Sequence, residues 1–120
     1  MSDRELLELA AKAYGDPSVS ARAEGPFHTR VIGYCEQMQC EVTTQWNPLT
    51  DDGDALRLAV RLGIAIEMHP AWVYVRAVPP GDHLRWLEIT EGWAHTKDPE
   101  SCVRRAIVRA AAEIGKAGAK

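Results

Sequence analysis

The last quarter of the chain carries the pattern that most restricts its fold. Asp98-Pro99-Glu100 supplies a capping side chain, a proline at the first helical position and an acid in the first turn. Val103, Ala106, Ile107, Ala110, Ala111 and Ile114 then recur at i, i+3, i+4, i+7, i+8 and i+11, which describes one long apolar helix face. Gly115 is expected to end the helix. Such a face has to be covered by another layer, and 120 residues suffice for one packed domain around it. Residues 1–120 are therefore read as a single compact domain.

The N-terminal end repeats the logic. Ser2 and Glu5 have capping-box spacing. Leu6, Leu7, Ala10, Ala11 and Tyr14 follow at helical spacing before Gly15-Asp16-Pro17, which predicts a helix over 3–14. Residues 16–26 (DPSVSARAEGP) lack any period and are expected to form a surface loop. From 27 to 46 the β-formers Val31, Ile32, Tyr34, Val42, Thr43, Thr44 and Trp46 bracket the polar Glu36-Gln37, which predicts a hairpin. Asn47-Pro48 and the acidic run Asp51-Asp52-Gly53-Asp54 precede a helix expected over 51–62, with Ala55, Leu56, Ala59, Val60 and Leu62 as its apolar members and Gly63 as its cap. Three strands are expected at 64–66, 71–78 and 84–89, separated by short turns that suit antiparallel neighbours. In the middle one Val73, Val75 and Ala77 alternate with Trp72, Tyr74 and Val78, so both faces are expected to be covered. The fold class that follows is α+β: a single α/β/α sandwich with a mostly antiparallel sheet flanked by three helices.

Several blocks then resemble a family. The opening DRELLELAAKA, the block WNPLTDDGDALRLAV at 46–60 and the Ala-rich helix from Cys102 to Ile114 resemble small phage and prophage proteins, and are similar to the phage ABA sandwich domain family. The likeness covers most of the chain outside 16–45; the tryptophan-to-helix block is its most specific part. It implies a compact sandwich encoded among phage accessory proteins, where host-takeover and anti-defence proteins occur, and it brings no catalytic residues with it. The segment holding Cys35 and Cys40 departs from the family pattern.

Composition narrows the function classes. The net charge is −3 with neutral histidines, which disfavours a nucleic-acid protein. No apolar run nears the roughly 20 residues of a membrane span, so no membrane partner is expected. Three cysteines and an acidic N-terminus suit a reducing compartment, and a cytoplasmic location is expected.

Cys35 and Cys40, with His28 and Cys102, supply soft metal ligands in type, but the second close pair of a structural zinc site is absent. On a continuous strand their offset of five puts the thiols on opposite faces, unless a turn at Glu36-Gln37 brings them together. Buried free thiols are the plainer reading. His28, His69, His83 and His95 are scattered, and Glu67-Met68-His69 and Asp82-His83 are the close acid–histidine pairs, both at expected turn ends. No glycine-rich phosphate loop, nucleophile–base spacing or calcium ladder is present, and the acidic run at 51–54 is read as helix capping. No cofactor and no catalytic residue is expected.

Arg104, Arg105 and Arg109 form a basic stripe on the last helix, a nucleic-acid candidate set against the plainer reading of a solvated face in which Arg109 pairs with Glu113. Four tryptophans accompany a single phenylalanine. Trp72, Arg76, Trp86 and Trp93 are the interface candidates, and Trp93 is the expected exposed anchor. The leading expectation is a non-catalytic, stoichiometric binder of a host protein, an inhibitor of the host-takeover or anti-defence type. The alternative is a small metal- or nucleic-acid-binding module using Cys35 and Cys40 or the arginine face. Homodimerisation through a strand edge is also open.

Overall fold

A computed structural model of the chain describes residues 2–21, 28–78, 87–93 and 98–117. The element order is α1 (Asp3–Tyr14), β1 (Val19–Ala21), β2 (His28–Cys35), β3 (Cys40–Trp46), α2 (Asp52–Leu62), β4 (Ala65–Met68), β5 (Trp72–Ala77), β6 (Leu87–Gly92) and α3 (Pro99–Ala117). The α+β class, the three helices and the antiparallel pairing are as the sequence pattern implies. The strands divide, however, into two three-stranded sheets, β1-β2-β3 and β4-β5-β6, in place of one. Residues 19–21, inside the stretch read as loop, pair with β2.

The helix ends are set by short-range chemistry. Ser2 accepts from the Glu5 backbone N–H, and Asp51 accepts from that of Asp54 at 2.8 Å. Gly63 ends α2 at φ 65°, where a side chain would be strained. One expected terminus is wrong. Gly115 does not stop α3, which continues to Ala117; the glycine is instead buried inside the helix, where a Cβ would lie 2.1 Å from the Leu9 carbonyl oxygen. It is there because the α1 backbone passes too close for any side chain.

The core is organised around α3. Val103, Ile107, Ala110 and Ile114 stand at the spacing of one helix face, and Val108, Ala111, Ala112 and Gly115 at that of another; all but Val103 are buried. One side of α3 packs on α1 and α2, the other on β5 and β6. Val73, Val75, Ala77 and Ile89 give the sheet its buried face. The opposite face was expected to be covered, yet Trp72 and Arg76 are exposed and Tyr74 is half-buried. The helices gather on one face because α3 already uses both of its sides, one for the sheet and one for the other helices.

The β2–β3 hairpin is anchored at its base and open along its length. Trp46 is fully buried and lies opposite His28. Its ring stacks on Tyr14 at a centroid distance of 5.7 Å and meets His28 edge-on at 5.8 Å. Beyond that base the arm carries Ile32, Tyr34, Met38 and Val42, all exposed. A bulge between Val31 and Gly33 shifts the register midway.

The approach of α1 to α3 can be tested by one methyl group. Ala adds about 1 kcal/mol of stability over Gly in an ordinary helix interior. Here Gly115→Ala is expected to lower the free energy of unfolding by about 2 kcal/mol, because the clash is with backbone that has no rotamer to change. Urea denaturation reads the difference; a variant as stable as the parent contradicts this packing.

Candidate functional site

The acidic run after Trp46 is consumed by local structure. The Asn47 side chain accepts from Leu49 N–H, and the Asn47 backbone N–H donates to buried Asp54 at 2.9 Å. Asp54 also accepts from Arg57 at 2.7 Å. This knot fixes the end of β3 against the start of α2, so the carboxylates that suggested capping do cap. The space beside it, about 390 Å³ between Arg30, Thr44, Gln45 and Arg57, is polar, and its acids already have donors.

A second concavity has a different character. α2 buries Ala55, Leu58 and Ala59, an i, i+3, i+4 set. That choice turns Leu56 and Val60 outward, where they are 61% and 73% exposed. The sequence pattern grouped both with Ala55, Ala59 and Leu62 as the apolar members of α2 and passed over Leu58, which the structure turns inward. β4 is an edge strand with all four residues exposed. Its register against β5 puts Ile66 opposite Val75 and Met68 opposite Val73, so these two side chains stand on the core side of the sheet. They extend past the end of the core and, with Leu56, Val103 and Ile107, wall a groove of about 380 Å³. Arg104 closes one end of it, donating to Asp52 at 2.6 Å and to the Leu49 carbonyl at 2.9 Å. Most of the groove lining is apolar, and Asp52, Glu100 and Arg104 are its charged members.

The expected interface residues fall elsewhere. Trp72, Tyr74 and Arg76 line the outer sheet face. Trp72 is 37% exposed and stacks on His69 with ring centroids 3.7 Å apart. Trp93 is not an exposed anchor: it is half-buried against the core, its indole N–H donating to the Pro70 carbonyl at 3.2 Å. Trp86 lies outside the described residues, as do His83 and His95. The arginine stripe is met by acids on other elements. Arg104 reaches Asp52, Arg105 reaches Asp3 at 3.0 Å, and Arg109 pairs with Glu91 of β6, not with Glu113.

The remaining titratable candidates are dispersed. Glu67 and His69 approach to 3.7 Å at the exposed end of β4. Among the described residues no three His, Cys, Asp or Glu side chains converge as metal ligands, and no helix is long and apolar enough to cross a membrane. Cys35 and Cys40 are direct cross-strand partners at the hairpin tip: of the two arrangements open from the sequence, a continuous strand or a turn beginning at Glu36-Gln37, the chain takes the turn, which spans 36–39. No protein-family model, curated protein or solved structure matches the chain.

His28 carries a pH prediction. Its Nδ1 is buried and has no hydrogen-bond partner among the described residues, and burial pushes its pKa below the ordinary 6.5. A base whose folded pKa is depressed contributes stability above its unfolded pKa and loses it as the pH falls through 6.5 toward the folded value. Stability measured by urea denaturation is therefore expected to decline from about pH 7.5 to about pH 5, and His28→Gln is expected to flatten that decline. An equal slope in parent and variant contradicts the assignment.

Proposed function

We propose that the chain is a non-catalytic, stoichiometric protein-binding module, and that its partner supplies an extended apolar segment. That segment pairs with the open edge of β4 and seats alternate side chains in the groove beside Ile66 and Met68. The observation that carries this reading is the coincidence of two unfinished surfaces. β4 leaves its outer edge unpaired among the described residues, and Leu56, Ile66 and Met68 present large apolar groups next to it. Either feature alone is common. Together they supply main-chain hydrogen bonds for affinity and an apolar slot for every second side chain, which is how strand addition recognises a partner.

The resemblance of the 46–60 block to phage accessory proteins extends the reading: the partner is then a bacterial host protein met in the cytoplasm, held and not chemically altered. The exposed Trp72 on the outer face of the same sheet lies outside this surface.

Capture from a nuclease-treated bacterial lysate tests the reading with Leu56→Lys and Met68→Lys. Both positions are exposed, so stability is expected to change by no more than about 0.5 kcal/mol. The parent is expected to retain one protein in roughly equimolar amount, and each variant to retain at least about tenfold less, as loss of a central interface anchor implies. Hydrogen exchange of that complex should show protection at 65–68. Capture that survives both substitutions, or that leaves 65–68 exchanging as in the free chain, contradicts the proposal.

A further inference from the structure

The tip of the β2–β3 arm holds a feature that the groove does not use. The turn 36–39 closes with the Gln39 N–H donating to the Glu36 carbonyl at 3.3 Å, with Gln39 at φ 49°. This turn sets Cys35 and Cys40 directly opposite one another as the last pair of the ladder. Residues so paired put their side chains on the same face, with Cα atoms about 4.5–5.5 Å apart. That spacing lies inside the range a disulfide requires, about 4.4–6.8 Å. Both thiols are free, Cys40 is exposed and Cys35 is half-buried. The third cysteine is set apart on α3, its thiol directed at the Gly92 carbonyl.

The intervening side chains give the pair no other task. Glu36, Gln37, Met38 and Gln39 are all exposed, so the tip contributes nothing to the core. The two thiols therefore have access to small reagents, and the hairpin holds them together before any reaction.

We propose that Cys35 and Cys40 are a dithiol modification site that reacts with low-molecular-weight disulfides and closes to an intramolecular disulfide across the hairpin tip. The exposed Cys40 thiolate attacks one sulfur of the external disulfide, forming a mixed disulfide and expelling one small thiolate. The Cys35 thiolate then attacks Cys40 Sγ, forming the Cys35–Cys40 bond and expelling the second small thiolate. The protein loses two hydrogens and two electrons, and the external disulfide is reduced to two thiols. The bond locks an arm whose Ile32, Tyr34 and Val42 side chains are exposed, so that oxidation sets the rigidity of that arm.

The experiment uses the full-length chain and glutathione disulfide. After acid quenching and alkylation, peptide mapping of the parent is expected to show Cys35 and Cys40 linked, with a loss of two hydrogens, and Cys102 alkylated. Cys35→Ser and Cys40→Ser each remove the resolving or attacking partner, and each is expected to retain one glutathione on the cysteine that remains. Both substitutions lie at the exposed tip, and circular dichroism confirms that the fold persists. Glutathione retained by the parent on Cys35 or Cys40 as it is by the variants overturns the proposal. So does a link from either to Cys102, or the absence of reaction at both.

Discussion

The contact between α3 and α1 is the constraint from which the rest of the fold follows. Leu9's carbonyl occupies the place where a Gly115 side chain would start, so the two helix axes approach as closely as backbone allows. Alanines at 111 and 112 continue the same face. With α1 drawn in on one side, α3 has its other side free for the sheet β4-β5-β6. A helix buried on both sides has to be apolar around most of its circumference, and α3 is. Its N-terminal turns, Pro99 to Val103, are at most half-buried. There they leave the groove walled by Leu56, Ile66 and Met68.

A second organising point lies at the junction of β3 and α2. Trp46 is buried against Tyr14 and His28. One residue later the chain is tied down by Asp54, which holds the Asn47 N–H and the Arg57 guanidinium together. The junction fixes the base of a hairpin that otherwise projects from the body, and it fixes the rotation of α2. That rotation decides which apolar residues of α2 go inward. It commits Ala55, Leu58 and Ala59 to the core and leaves Leu56 and Val60 to the surface. The junction thereby positions the groove without being part of it.

What was legible in the sequence was local. Caps, glycine stops and apolar periods placed α1 and the start of α3, because each depends on residues within one turn of one another. Strands β2 to β6 were legible for the same reason, though β6 runs to Gly92 and not to Ile89, and β1 lies in a stretch read as loop. The division into two sheets was not legible, because lateral neighbours are chosen by packing, which no strand encodes alone. Gly115 was misread because a glycine that ends a helix and one that admits a neighbouring backbone look identical in sequence. Leu56 and Val60 were misread because two overlapping apolar sets fit α2. The i, i+3, i+4, i+7 series through Ala55, Leu58, Ala59 and Leu62 was the better fit to one face. The Cys35–Cys40 pairing required the turn geometry, since counting along an uninterrupted strand separates the thiols.

The surfaces left unfinished by this core are what give the protein its proposed role: a strand edge unpaired among the described residues beside an apolar slot on one side of the sheet, and a more polar face carrying Trp72 and Arg76 on the other. A photoreactive amino acid in place of Met68, compared with the same group in place of Arg76, distinguishes the two faces directly in a bacterial lysate. Crosslinking from position 68 to one protein, with position 76 silent, is the expected result. Crosslinking from position 76 while position 68 stays silent would contradict the assignment of the groove and the β4 edge as the binding surface.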